Sequence, residues 1–337
     1  MWKLYLSMYY LTLIFGTAIS ITASSWMIVW VGLEVNLLAL MPLMYSLNKK
    51  HSSEATIKYF IIQALASSMF LFSAIFLSTQ YILNSMESNM VKSFLLCSAL
   101  LLKIGAAPFH FWLPEVMQGS TWKVNFIIST WQKIAPMIII YQTMPNSLYF
   151  SIIIIFSSII SGIQGINQTC LPKIMAYSSI NHSSWMIAAI MSSLTMWFCY
   201  FMIYTLINFT LIIFFNKIYI YNIPQLNKFL SSNKMMKFIF MLSFLNLGGL
   251  PPFLGFLPKW MVILNLVQTK FFLMAVLLTV FTLITLYFYV RIAISSFSIN
   301  SNESLVNFFK KMNYLTNMIS LLSLMGLMGC SLITEIL

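Results

Sequence analysis

Apolar residues occupy this chain in long blocks rather than in stripes. Segments such as "WVGLEVNLLALM" at 30–41 and "SIIIIFSSIISG" at 151–162 are apolar on nearly every helical face. A helix that is hydrophobic all round belongs in a membrane or a deep core, and a bilayer core of about 30 Å needs about 20 such residues per crossing. The short alternating segments of a transmembrane barrel do not occur. The pattern therefore predicts an all-α polytopic membrane protein with eleven spans, near 4–22, 25–47, 55–80, 90–119, 123–143, 148–167, 172–194, 196–220, 236–270, 272–297 and 315–336. The first span begins in "MWKLYLSMYYLTLIF", with neither a small-residue cleavage site nor an Arg-rich transit pattern, so no removed leader is expected.

Two spans break the pattern. "GAAPFHFWLPE" at 105–115 places Gly105, Pro108, His110, Pro114 and Glu115 inside an apolar block. It aligns with "GLPPFLGFLPK" at 249–259 at an offset of 144, pairing Gly105 with Gly249, Pro108 with Pro252, Phe109 with Phe253, Leu113 with Leu257 and Pro114 with Pro258. The first copy falls in span four and the second in span nine. An odd separation of five spans reverses direction through the membrane, so the expected organisation is two inverted five-helix repeats, 1–143 and 144–297. The remainder, 298–337, holds a C-terminal span and a short surface helix in "NESLVNFFKKMNY" with an Asn302 cap. Paired Gly/Pro interruptions in matching places of two halves point to a transporter with an ion site near the midplane. Broken backbone at that depth is tolerated only when buried in protein or lining a wet cavity. The competing reading is that the prolines kink two long helices for packing.

Charge at bilayer depth sharpens the choice. Glu34 is the one acidic residue in the middle of an apolar span. Lys103 precedes the first break, Lys133 lies centrally in "STWQKIAPMII", and Lys259 follows the second break. Lys58, in "EATIKYFIIQ", is nearer a span end and has Glu54 one helical turn before it. Ionisable groups at this depth cost several kcal/mol unless paired or hydrated, and are functional candidates by default. One anion does not neutralise three cations, so Glu34, Lys103 and Lys133 read as groups that exchange protons rather than as a closed ion pair. The structural alternatives are a buried ion pair for these three, interfacial snorkelling for Lys58, and a helix-end lysine for Lys259. His110 and His182 are possible relay members, since imidazole titrates near neutrality, or satisfied interior histidines. Glu115 pairs with a lysine or caps a half-helix, and the polar stripe "YSSINHSS" at 177–184 holds water or glues helices.

Composition narrows the function classes. With 60% hydrophobic residues, 7% charged and a mean hydropathy of +0.90, an ordinary soluble domain is excluded. Cys97, Cys170, Cys199 and Cys330 are scattered and the histidines His51, His110 and His182 are unpaired in sequence, so neither a metal site nor a redox centre is expected. The net charge of +12 lacks a soluble domain to display it to nucleic acid. Sorted by side, Lys3, Lys49, Lys50, Lys123, Lys173, Lys217, Lys228, Lys234, Lys237, Lys310 and Lys311 fall on the face of the N-terminus, against Lys92 and Lys270 opposite. The positive-inside rule puts that face on the cytoplasmic or matrix side, and an odd span count sends the C-terminus across.

The segments "WVGLEVNLLALMPL", "EATIKYFIIQALASS", "KIGAAPFHFWLPEVMQG", "WQKIAP", "YSSINHSSWM" and "GGLPPFLGFLPKW", in this order and spacing, resemble the antiporter-like membrane subunits of mitochondrial NADH:ubiquinone oxidoreductase, respiratory complex I. The resemblance covers nearly the whole chain. It implies a subunit of the mitochondrial inner-membrane arm, with other membrane-arm subunits and lipids as partners, that contributes to proton translocation coupled to electron transfer from NADH to ubiquinone. It implies Glu34, Lys58, Lys103, Lys133 and Lys259 as the proton-carrying groups, two broken helices in inverted repeats, and an N-terminus in the matrix. NADH, FMN, iron–sulfur clusters and ubiquinone would be bound elsewhere in the complex. The eleven spans suggest a form lacking the first three of the fourteen helices found in larger bacterial members. Richness in Ile, Met, Phe and Asn, with one Arg and no Asp, is similar to an AT-rich organelle-encoded gene. The repeats are not equivalent: Leu247 stands opposite Lys103, and Lys259 opposite Glu115. A stand-alone cation/proton antiporter and a purely structural membrane-arm subunit remain the rival readings.

Overall fold

A computed structural model describes residues 2–46, 51–78, 86–143, 147–230 and 234–297. The expected span at 315–336, the surface helix in 302–314, and Lys49, Lys50, Lys310, Lys311 and Cys330 lie outside the described residues. The chain gathers into two compact units, Met1–Ile153 and Ile154–Leu337.

The first unit contains α1 (Trp2–Thr22), α2 (Trp26–Met44), α3 (Ser52–Ser78), α4 (Met86–Ile104), α5 (Trp112–Gly119), α6 (Trp122–Ser129) and α7 (Trp131–Thr143). Helix α8 (Ser147–Ile166) starts in the first unit and from Ile154 onward belongs to the second, which holds α9 (Leu171–Ser192), α10 (Leu194–Ile218), α11 (Ile223–Leu230), α12 (Lys234–Gly248), α13 (Phe256–Gln268) and α14 (Phe272–Phe297). Six of these, α1, α2, α3, α8, α10 and α14, are long and apolar enough to cross a membrane. Their outward faces carry Phe15, Leu38, Phe72, Leu206 and Leu283 in the open, as a lipid solvent permits and water does not. Among the described residues there is no strand, only an isolated bridge between Cys170 and Asn222.

Close backbone approach sets the packing of the first unit. Helices α1 and α2 meet through Gly16 and Gly32, where a Cβ on Gly32 would stand 2.7 Å from Ser20 N and 2.8 Å from Gly16 O. Small residues let membrane helices approach where no hydrophobic force drives them together. Gly32→Leu is expected to cost at least the upper end of the about 1–3 kcal/mol typical of overpacking, because backbone cannot move aside as a side chain can. The check is the loss of thermal stability of the protein in detergent.

In the second unit α9 forms the core, with every residue from 174 to 190 buried. Its serines satisfy their hydroxyls on their own helix: Ser178, Ser179, Ser183 and Ser184 each donate to the carbonyl three residues earlier. A helix polar in composition is thereby packed on all sides. The chain leaves α9 at Ser193, whose N–H donates to Ala189 O at 3.1 Å while its side chain accepts from Met196 N at 3.3 Å. One residue ends α9 and caps α10. The single arginine, Arg291 of α14, donates to Ile166 O at 2.6 Å and Gln168 O at 3.1 Å, occupying carbonyls freed where α8 ends.

One expectation is altered. The segment 123–143, read as a single span, is divided at Thr130 into α6 and α7. The Thr130 hydroxyl donates to Phe126 O at 2.6 Å. Pro136 has no N–H to offer Gln132 O, so the ladder around the division loses a rung without any glycine marking it.

Candidate functional site

The two breaks close with the same backbone bonds. After α4, Gly105 has φ 77° and Ala106 N donates to Leu101 O at 3.1 Å; after α12, Gly249 has φ 75° and Leu250 N donates to Leu245 O at 3.4 Å. This is the glycine-terminated helix end in which a left-handed residue folds the next N–H back onto the last turn. A turn follows in each: Phe109 N to Ala106 O and Phe253 N to Leu250 O, both 2.9 Å. Each turn then feeds a half-helix, with Leu113 N to His110 O at 3.1 Å and Leu257 N to Leu254 O at 3.3 Å. Pro108 and Pro252 stand exposed in these turns.

The freed carbonyls at the two breaks find different donors. At the first, Trp112 Nε1 donates to Leu102 O at 3.1 Å and Gln63 Nε2 to Lys103 O at 3.4 Å. At the second, Lys259 Nζ donates to Gly248 O at 2.7 Å, and Asn246 Oδ1 accepts from Gly255 N at 2.7 Å. An ammonium at a helix C-terminus meets the negative end of the macrodipole as well as the carbonyl itself. Trp185 of α9 lies 6.0 Å from the Lys259 ammonium and presents its ring face.

Among the described residues, every buried lysine stands at a helix interruption. Lys103 is in the last turn of α4, Lys133 is the third residue of α7 just beyond the Thr130 division, and Lys259 is in the first turn of α13; they are 6%, 1% and 7% exposed. Glu34 of α2 is half-buried, and its charge acts on Lys103 and on the buried Tyr59 hydroxyl. Helices α4 and α7, which carry Lys103 and Lys133, pack against each other. In a low-dielectric interior such charges act on one another far more strongly than in water.

Lys58 is placed otherwise. Its side chain is 40% exposed and bridges two carboxylates, Glu54 at 2.7 Å and Glu115 at 2.8 Å, with His51 Nδ1 3.7 Å from Glu54. His110 is buried in the first break, its Nδ1 3.2 Å from Pro108 O and its ring 4.3 Å from that of Phe111. His182 is buried on α9, its Nδ1 2.9 Å from Tyr200 OH, and its ring 4.8 Å from that of Tyr204 on α10. Among the described residues no group of three or more His, Cys, Asp or Glu is placed to hold a metal.

Sequence reasoning missed Trp112, Gln63 and Asn246 as partners of the broken ends. Only Asn246 carried a signal, a polar residue just before a break in an apolar block. Trp112 and Gln63 act through contacts from elsewhere in the fold.

The chain is similar to known proteins over most of its length. The model of the family described as "NADH:quinone oxidoreductase/Mrp antiporter, TM" matches residues 23–285. A protein of Anopheles gambiae named NADH-ubiquinone oxidoreductase chain 2 is 43% identical over 334 residues, covering 97% of both chains. Its namesake from Locusta migratoria is 39% identical over 318 residues, covering 94% of this chain and 93% of its own. Among solved structures, a chain of respiratory complex I from Thermus thermophilus superposes with a TM-score of 0.84 at 22% identity, over 96% of this chain and 78% of that one. A chain of the Mrp complex from Dietzia sp. gives 0.78 at 15% identity, over 95% and 74%. The chain belongs to the NADH:quinone oxidoreductase/Mrp antiporter family of transmembrane proteins.

Proposed function

We infer that this chain is a membrane-arm subunit of respiratory complex I in the mitochondrial inner membrane, contributing to proton translocation coupled to electron transfer from NADH to ubiquinone. The observation that carries the reading is the burial of three lysines at three helix interruptions within a chain of this family. A break supplies what a continuous helix lacks, carbonyls and half-helix ends able to accept an ammonium in an otherwise apolar interior. Glu34 lies within electrostatic reach of Lys103 in a low-dielectric interior, where charges interact far more strongly than in water.

In this reading Glu34, Lys103, Lys133 and Lys259 carry protons, with Lys58 working beside them and His110 and His182 extending the relay. The matching bonds of the two breaks support two inverted five-helix repeats, 1–143 and 144–297, with 298–337 as an appended segment. The lysine asymmetry supports an N-terminus in the matrix and a C-terminus in the intermembrane space. Electron transfer belongs to other subunits, which hold the FMN and iron–sulfur clusters and reduce ubiquinone; this chain's part is the response of its buried charges.

Removing the chain from inner membranes is expected to abolish both NADH:ubiquinone reduction and the proton release coupled to it, with recovery on re-expression. The isolated chain in liposomes is expected to exchange no cation for protons. Exchange by the isolated chain would support a stand-alone antiporter instead. Full proton release per electron from complexes lacking the buried lysines would leave a structural subunit.

A further inference from the structure

We propose that Lys58 is the positioning residue of the first helix break: by bridging Glu54 of α3 and Glu115 of α5, it makes α3 a splint that holds in register the interruption where Lys103 stands. The proposal rests on the reading of Lys103 as a proton-carrying group.

Helix α5 has eight residues, too few to be stable alone. Its N-cap, Phe111, provides no side-chain hydrogen bond. Its position therefore depends on what it leans against, and that is α3. Near its C-terminus Gly119 lies so close to α3 that an added Cβ would be 2.6 Å from Ala55 Cβ and 2.7 Å from His51 O. In its first turn Glu115 is held by Lys58 at 2.8 Å. At its first residue, the Trp112 ring lies 5.9 Å from the Tyr59 ring of α3.

Ala55, Lys58, Tyr59 and Gln63, at successive spacings of three, one and four residues, lie on one side of α3. That side touches the whole interruption. Beyond α5 it reaches the end of α4, where Gln63 Nε2 donates to Lys103 O at 3.4 Å. Trp112 closes the circuit by donating to Leu102 O at 3.1 Å, one residue before Lys103. If α5 moves away from α3, Trp112 goes with it, and the carbonyl beside Lys103 loses its donor.

The second break is held without such a bridge. Lys259 stands where Glu115 stands in the first, and it turns inward to Gly248 O, while Asn246 ties the two half-helices together. The same helical position thus carries an outward anion in one break and an inward cation in the other. The difference explains why Lys58 is half-exposed and doubly paired, unlike the three buried lysines. An exposed ion pair contributes little to stability, so the bridge acts through the geometry it imposes on a short helix.

The test uses assembled complex carrying a cysteine in place of the buried Met117 of α5, labelled by a water-soluble maleimide, alongside protons translocated per electron. Lys58→Met is expected to raise the labelling rate about tenfold by letting α5 lift, and to lower protons per electron. Lys58→Arg should restore both. Glu115→Met, which leaves Lys58 in place but removes its hold on α5, should act like Lys58→Met on both readouts. Unchanged labelling in Lys58→Met would overturn the splint. Full pumping in Glu115→Met beside lost pumping in Lys58→Met would also overturn it, making Lys58 itself a carrier. Should Lys58→Met fail to assemble, Glu115→Met decides: raised labelling with lowered pumping supports the splint, and unchanged labelling refutes it. Lys103→Met is the separate control, expected to lose pumping without raising labelling; full pumping there would refute the reading of Lys103 while the labelling still judges the splint.

Discussion

Lys259→Met in the assembled complex is expected to slow coupled proton translocation about 100-fold, the scale on which a positioned proton-transfer group contributes. It is also expected to destabilise the second unit by about 1–3 kcal/mol, because Gly248 O at the end of α12 would lose the ammonium that it accepts at 2.7 Å. The two effects are separable. Lys259→Gln keeps an N–H donor on a side chain one bond shorter but carries no transferable proton at neutral pH, so stability should return in part while translocation stays lost. Thermal denaturation of the complex followed on native gels reads the first effect. Protons released per electron in sealed vesicles read the second.

Gly249→Ala should impair translocation more than Gly105→Ala although both strain the backbone alike. Their φ angles are 75° and 77°, and a left-handed conformation costs a non-glycine residue about 1–2 kcal/mol. What the added methyl meets differs. At Gly105 it meets Leu113 Cδ1 at 2.8 Å, the end of a flexible apolar side chain. At Gly249 it meets Lys259 Cδ and Nζ at 2.9 Å, so the ammonium must leave Gly248 O to make room. Stability losses within about 1 kcal/mol of each other, with translocation several-fold lower in Gly249→Ala, are expected. Equal translocation in the two variants would mean that the position of the Lys259 ammonium does not matter.

These variants act at features that the sequence announced unevenly. The breaks at 105 and 249 were legible because glycine and proline are conspicuous in apolar blocks, and several backbone bonds recur at their aligned positions. The division at Thr130 was not legible, since its cause is a hydroxyl bond to Phe126 O and a proline six positions away. Yet that division puts Lys133 at an interruption, like Lys103 and Lys259. Lys58 shows the opposite limit. Its partner Glu54 lies one turn away and was readable, but Glu115 meets it only because α5 folds back against α3, a tertiary contact with no local signature. The polar stripe of α9 was visible as serines, an asparagine and a histidine; that the helix is buried on every side depends on its neighbours.

The central claim is that a lysine buried at a helix interruption is a working part of proton transfer rather than packing. The most direct measurement is the number of protons translocated per electron in sealed inner-membrane vesicles carrying Lys103→Met, with assembly verified on native gels. Methionine keeps the length and apolar stem of lysine but not its proton, and the backbone of Lys103 still accepts from Gln63. Normal assembly with a clearly reduced ratio is the predicted result. Normal assembly with an unchanged ratio would contradict the account and return the break to a packing role.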